Sequence, residues 1–330
     1  MPSLGDTVWV FLGGLILCLI SGRFAIRWLA KSQCVAPVRY EDCPPLQAYQ
    51  EAKPRTPTMG GLFVLGAGIL AAASAGGLRD AGGWLVLAAA AGLGFVGLLD
   101  DLLKFRGANA VGLRTAPKLM MTLVVGAAVG IASGSRPVGY GTLDIPWAGR
   151  TVELGWLWVP FAMTVIAGCA HAVNLTDGMD GLAAGCLAIT FSVLGLIALA
   201  WGPQAQGLGA WCAALAGACV GFLWFNSFPA SIVLGDVGAL GLGAALGTIS
   251  LLTHGALWLI VIGGVFVAEA LSVMLQVASY KWRGGRRLFR VAPIHHHFHL
   301  GGLAEPKVIV RFWIVGLIFA LLGLTGAERP

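Results

Sequence analysis

The chain has 330 residues, of which 58% are hydrophobic and only 11% charged. A soluble domain carries roughly 25% charged residues, so a soluble globular fold is excluded. Several apolar runs of about 20 residues each, enough to cross a bilayer, identify a polytopic membrane protein in a lipid bilayer. The net charge of +6 follows the loops rather than a patch, and no nucleic-acid partner is expected. The seven cysteines show no CxxC spacing, so neither a zinc site nor a disulfide framework is indicated.

In chain order, the apolar segments predict an all-α protein of about ten transmembrane helices. They fall near 7–28, 58–77, 84–103, 118–133, 156–173, 182–201, 207–225, 237–253, 257–279 and 308–325. Asp6 rather than a basic stretch precedes the first run, which favours a retained helix over a cleaved signal. The single membrane domain spans 1–330, with loops at 29–57, 104–117, 174–181, 226–236 and 280–307 on one side. A longer loop, 134–155, lies opposite and reads as turns with a small hairpin. The first group of loops, with adjacent helix ends, holds all the lysines and arginines except Arg79, Arg136, Arg150 and Arg329. Positively charged loops stay cytoplasmic, so that group is expected inside and both termini on the outer, periplasmic side.

The acidic residues then converge. Asp100 and Asp101 end the third span, Asp177 and Asp180 lie between the fifth and sixth, and Asp236 opens the eighth. All five fall on the expected cytoplasmic face, and His295, His296 and His297 join them from the ninth loop. Ionisable groups at membrane depth are costly and mark functional sites. A carboxylate pair at a helix C-terminus also opposes the macrodipole, so Asp100-Asp101 is poorly placed as decoration.

Asn174, Asp177 and Asp180 recur every three residues, with Gly178 and Gly181 between and after them. A calcium loop fails, since the twelfth position from Asp177 is Ala188 and not Glu. Sparse hard-oxygen ligands suit Mg2+, which keeps waters and leans on substrate phosphates. Asp236 between Gly235 and Gly238 reads either as a helix cap or as a member of the acidic site. The histidines suit contact with an anionic substrate or structural support better than zinc, because consecutive residues cannot all reach one ion. Arg286, Arg287 and Arg290 upstream can bind phosphate or set topology. Together these groups fit Mg2+-assisted phosphoryl chemistry.

Five segments carry a family resemblance: Pro57-Thr58-Met59-Gly60-Gly61, Asp100-Asp101-Leu102-Leu103-Lys104, Asn174 to Gly181, Gly235-Asp236-Val237-Gly238, and Pro293-Ile294-His295-His296-His297-Phe298. In order and spacing the chain resembles the bacterial phospho-N-acetylmuramoyl-pentapeptide transferases, within the polyprenyl-phosphate N-acetylhexosamine-1-phosphate transferase superfamily. The resemblance implies transfer of phospho-MurNAc-pentapeptide from UDP-MurNAc-pentapeptide to undecaprenyl phosphate, giving lipid I and UMP for peptidoglycan synthesis. It implies Mg2+ as cofactor, with Asp236 as a ligand. Asp100, Asp101, Asp177 and His295 are expected in catalytic roles, Asp100 as base or phosphate positioner. Lys53, Thr58, Lys104, Lys118, Asn174, Asp180, Asn226, His296 and His297 are expected to bind substrate. The bacterial inner membrane is the implied location, with a cytoplasm-facing site and room for a homodimer.

Three positions depart from the family pattern. Ala239 follows Gly238 where a serine is common, His299 replaces the usual glutamate, and Ala116-Pro117 replaces Arg-Gln before Lys118. Two other readings compete. A sibling transferase would move N-acetylglucosamine phosphate to the same lipid. A secondary transporter would place its acids near the midplane within a repeat, but here they gather at one face and no repeat is evident.

Overall fold

A computed structural model describes residues 4–32, 34–35, 43–53, 56–105, 112–134, 141–200 and 205–326. Arg39, Arg55, Arg106, Arg136 and Arg329, used above to orient the chain, lie outside the described residues. The fold is helical apart from one hairpin. It comprises α1 (Leu4–Lys31), α2 (Pro44–Glu51), α3 (Gly61–Ser74), α4 (Ala81–Lys104), α5 (Thr115–Gly134), β1 (Thr142–Ile145), β2 (Arg150–Glu153), α6 (Trp158–Thr176), α7 (Leu182–Ala200), α8 (Gln206–Asn226), α9 (Gly235–Leu252), α10 (Ala256–Ile262), α11 (Gly264–Trp282), α12 (Ile294–His299) and α13 (Glu305–Leu324). The hairpin expected in the longer loop is antiparallel, with Thr142 opposite Glu153.

Among the described residues eight helices are long and apolar enough to cross a membrane. Two elements differ from the sequence expectation. The first is α3, which at 14 residues is shorter than the span expected there. The second is the expected span 257–279, which is two helices, α10 and α11, bent by 86°. Gly263 ends one and precedes the other, and the adjacent Gly263-Gly264 pair lacks the side chains that would stiffen the junction.

The outer helices turn apolar side chains outward: Trp9, Ile20, Phe24, Met120, Val124, Ile131, Ile314 and Ile318 are all exposed. In water such a surface would aggregate, whereas hydrocarbon accepts it. At the centre stands α9, buried along almost its whole length, with α4 and α6 packed beside it and α3 across its start. Lipid offers no hydrophobic drive between helices, so close van der Waals packing of small residues holds them together. A Cβ at Gly61 would collide with the backbone of Gly238, and one at Gly97 with the backbone of Asp236 and Val237. These contacts fix where α9 begins, and therefore where Asp236 sits.

The segment between α8 and α9 is held by the proline–glycine motif before α3. Val233 donates its N–H to Pro57 O at 2.9 Å, and the Gly60 and Gly61 amides donate to Val233 O and Leu234 O at 3.0 and 2.8 Å. Thr58 N–H in turn bonds Cys34 O at 2.9 Å. Met59 makes this turn at φ 73° while buried, an uncommon conformation for a residue with a side chain. The motif is thus the brace for the Asp236 loop.

Gly97→Ala places its methyl against the Asp236 carbonyl and is expected to destabilise the protein by about 1–3 kcal/mol, the usual range for overpacking. Thermal unfolding in detergent measures it; an unchanged melting temperature would show that α4 and α9 are not locked here.

Candidate active site

The last turn of α4 brings Asp100 and Asp101 to the first turn of α9, which carries Asp236. Their carboxylate oxygens lie within 4.8 Å of one another, and Asp100 and Asp101 are both buried. Three carboxylates so close repel strongly in a poorly solvated site, and two lysines answer them. Lys104 Nζ is 2.6 Å from Asp100 Oδ2, 3.2 Å from Asp101 Oδ1 and 2.8 Å from Asp236 Oδ2. Lys118 Nζ is 2.6 Å from the same Asp236 oxygen and 3.7 Å from Asp100.

The remaining oxygens are also committed. Asn174 Nδ2 donates to Asp236 Oδ1 at 2.5 Å, Leu113 N–H to Asp100 Oδ1 at 2.8 Å, and Val237 N–H to Asp101 Oδ2 at 3.1 Å. The last bond places a carboxylate at the N-terminus of α9, where the helix dipole favours negative charge. Gly235 takes φ +74°, and a Cβ there would stand 2.7 Å from Thr58 Oγ1 and 2.9 Å from Asp101 Oδ2. Glycine is therefore the residue that lets this turn close.

Asp177 caps the end of α6. Burial, and after it the charge of Asp236, pushes the Asp177 carboxyl well above the usual carboxylate range, with the Gly235 amide partly opposing. Part of its surface stays exposed; the shift reflects the protein packed around the carboxyl group.

A second cluster stands beside the first. Lys53 Nζ lies 2.6 Å from Glu305 Oε2 and 3.4 Å from Asp180 Oδ1. Tyr49 donates its hydroxyl to Glu305 at 2.5 Å, and the Asp180 N–H bonds Glu305 at 3.1 Å. Asp180 Oδ2 accepts from Ala230 N–H at 3.0 Å. The exposed ring of Phe228 lies 5.7 Å from Lys53 Nζ, leaving an aromatic face and an ammonium group side by side.

The structure thus gathers Asp100, Asp101, Lys104, Lys118, Asn174, Asp177 and Asp236 in one cluster, with Lys53 and Asp180 in the neighbouring one. Four residues expected to act on substrate are buried. Asn226 is buried, and both ends of its amide serve the fold: Oδ1 accepts from Gly181 N–H at 3.0 Å and Nδ2 donates to Ile232 O at 2.8 Å. Thr58 is buried beneath Gly235. His295 is wholly buried, 3.0 Å from Glu269 and behind Gly178. His296 is buried too, and burial first, then His295 and His299, pushes its imidazolium down to about 2, so it stays neutral. His297 is partly exposed and accepts the Arg290 N–H at 3.1 Å.

The departures from the family pattern find local explanations. Pro117 lies in the first turn of α5, where a missing N–H costs nothing, and so tolerates the position before Lys118. His299 packs against Tyr49 with ring centroids 4.2 Å apart and planes tilted by 53°, and its Nδ1 bonds Leu303 O at 3.0 Å. Ala239 is fully buried in α9.

Sequence reasoning missed three residues. Glu305 opens α13 beside a proline, an ordinary helix start in sequence. Tyr49 carried no signal. Glu269 did carry one, being an ionisable group inside an apolar run.

Comparison with known proteins fits this geometry. The profile of glycosyl transferase family 4 matches residues 83–254, which contain both helix ends of the acidic cluster. The chain is 41% identical over 334 residues to the phospho-N-acetylmuramoyl-pentapeptide-transferase of Citrifermentans bemidjiense, covering 97% of this chain and 92% of that protein. It is 39% identical to the protein so named from Oleidesulfovibrio alaskensis, with the same coverage. Identity to the one from Thermodesulfovibrio yellowstonii is 42% over 91% of this chain and 86% of that protein. Helical architecture, clustered acids and near full-length similarity agree: the chain belongs to the phospho-N-acetylmuramoyl-pentapeptide transferase family.

Proposed function

We propose that the chain transfers phospho-MurNAc-pentapeptide from UDP-MurNAc-pentapeptide to undecaprenyl phosphate, releasing UMP and forming lipid I. The observation that carries this reading is the buried Asp100–Asp101–Asp236 cluster, bridged by Lys104 and Lys118. Such a set can bind two anionic phosphate groups only if cations outnumber or offset its own carboxylates.

The donor set fits Mg2+: three hard carboxylate ligands converge, with spare charge of one once the two lysines are counted. Asp236 would hold the ion with Asp100 and Asp101, and the bound ion would neutralise pyrophosphate charge. Lys104 and Lys118 then exchange carboxylate partners for phosphate oxygens. Asp100, with one oxygen held by the Leu113 N–H, acts as a positioner of ion and phosphate rather than as a base. The lipid phosphate, whose second pKa is about 6, is largely without that proton at neutral pH and needs no base; Asp177 stands beside the cluster to orient it. A lipid phosphate oxygen attacks the β-phosphorus of the sugar nucleotide. That P–O bond forms as the bond to UMP breaks, with no covalent enzyme intermediate. Lys53 and Phe228 offer a cation and a ring face for the nucleotide.

The lipid chain finds apolar surface nearby. A groove of about 310 Å3 lies between α6, α9, α10 and α11, lined by Cys169, Ala172, Val173, Phe266 and Ala270. Its lining includes Gly263, where α10 and α11 part, and Val173, next in sequence to Asn174. The family's location, the bacterial inner membrane with the site toward the cytoplasm, fits ten crossings. These are the eight long helices, the bent pair and α3, with both termini outside and the basic loops inside.

Asp236→Asn is expected to weaken binding of Mn2+ or Mg2+ at least tenfold in a calorimetric titration and to abolish metal-dependent UMP release. Metal affinity like that of the parent would refute the role of Asp236. With polyprenyl phosphate present, label is expected to enter lipid from UDP-MurNAc-pentapeptide and not from UDP-N-acetylglucosamine; the reverse would identify the sibling activity. Ionising Asp177 costs native stability, because its folded pKa is raised. That cost is absent near pH 4, the unfolded range, and grows as pH rises through the folded value. In chelator, Asp177→Asn should therefore be the more stable protein at neutral pH, with the gain fading on acidification. Destabilisation at neutral pH would show that the carboxylate is held favourably.

A further inference from the structure

Behind the active-site loop lies a buried acid–base pair that the proposed chemistry does not use. Glu269 of α11 and His295 of α12 are both wholly inaccessible to solvent. Glu269 Oε1 stands 3.0 Å from His295 Nδ1, off the line of an ideal hydrogen bond, and among the described residues neither carboxylate oxygen finds another hydrogen-bond partner. A carboxylate buried in a membrane helix is expensive unless paired, and His295 is the basic group within reach.

The far side of the same imidazole meets the active-site loop. A Cβ at Gly178 would overlap His295 Nε2 and lie 3.1 Å from His296 Nε2. Gly178 lies between Asp177 and Asp180, and Gly181 beyond it takes φ +79°. The loop therefore rests on the edge of the His295 ring, whose other edge rests on Glu269. Which ring nitrogen carries the proton is set by the partner of the other. A carboxylate at Nδ1 holds the proton there and leaves Nε2 turned toward the loop.

We propose that Glu269 is a positioning residue for the transferase. Through the Nδ1-protonated ring of His295 it sets the position of the Asp177–Gly181 loop that receives the sugar nucleotide. This rests on the proposed reaction and on Asp180 of that loop binding the sugar nucleotide, while the state of the ring is readable without substrate. Gly178 is required for the same reason, since any side chain there displaces the ring or the loop.

The test uses the full chain in lipid nanodiscs with 15N-labelled histidine, the His295 signal being assigned by its loss in His295→Asn. Nδ1 is expected to carry the proton in the parent protein and in Glu269→Gln, whose carbonyl can still accept. In Glu269→Leu the proton should move to Nε2. Steady-state kinetics should show KM for the UDP-sugar raised at least tenfold in Glu269→Leu and in Gly178→Ala. In Glu269→Gln, KM should stay within about threefold of the parent. A parent ring protonated only on Nε2 overturns the proposal, as does a tautomer indifferent to Glu269→Leu. If the tautomer switches while KM is unmoved, Glu269 does not act through the loop. Should Glu269→Leu fail to fold, the parent spectrum and the Gly178→Ala kinetics decide. Loss of the UDP-sugar activity itself, with the expected spectra intact, would instead indict the proposed substrate.

Discussion

Three carboxylates held within a few ångströms at membrane depth form the constraint on which the structure depends. Asp100, Asp101 and Asp236 cannot all remain ionised there without cations, and Lys104 touches all three. The surrounding architecture reads as the means of bringing these groups together from distant parts of the chain. The α4 and α9 helices meet through glycine, so that the last turn of one faces the first turn of the other. The Pro57–Gly61 brace holds the segment that leads into Asp236, and Asn174 reaches the same carboxylate from α6.

That arrangement links stability to function. A cluster neutralised by lysines is tolerable in the resting protein, yet its partners are of the kind that phosphate and a divalent cation can exchange. In the proposed reaction Lys104 and Lys118 serve two states: they balance the acids in the resting protein and would meet phosphate oxygens once substrate is bound. The neighbouring cluster follows the same logic at Lys53, where the buried acid is Glu305 and the exposed partner is the Phe228 ring. In both, a partly exposed lysine reaches buried carboxylates, a task suited to a long stem with a compact charge.

Much of this was legible in the sequence because membrane proteins spend few charges. The five aspartates on one expected face stood out against apolar runs, and the structure gathers Asp100, Asp101, Asp177 and Asp236 near one another. Helix positions were readable because length and hydropathy are local properties. What could not be read depends on contacts between distant segments. The sequence shows two glycines at 263–264 but not that the chain turns through 86° there. Asn226 and Thr58 look like pocket residues in a linear motif, and packing turns them inward. Glu305 looks like a helix start, and becomes a partner of Lys53 only when α13 approaches α2. His295 belongs to a prominent histidine run, but its burial depends on α11 passing behind it.

In the proposed reaction the Asp236 cluster is the cation seat of a phosphoryl-transfer site. Anomalous diffraction from crystals grown with Mn2+ and a UDP-sugar tests it most directly. The predicted result is a manganese peak against the Asp236 carboxylate, with Lys104 Nζ moved onto a phosphate oxygen. A peak elsewhere, or a nucleotide bound while Lys104 still bridges all three aspartates without an ion, would contradict it.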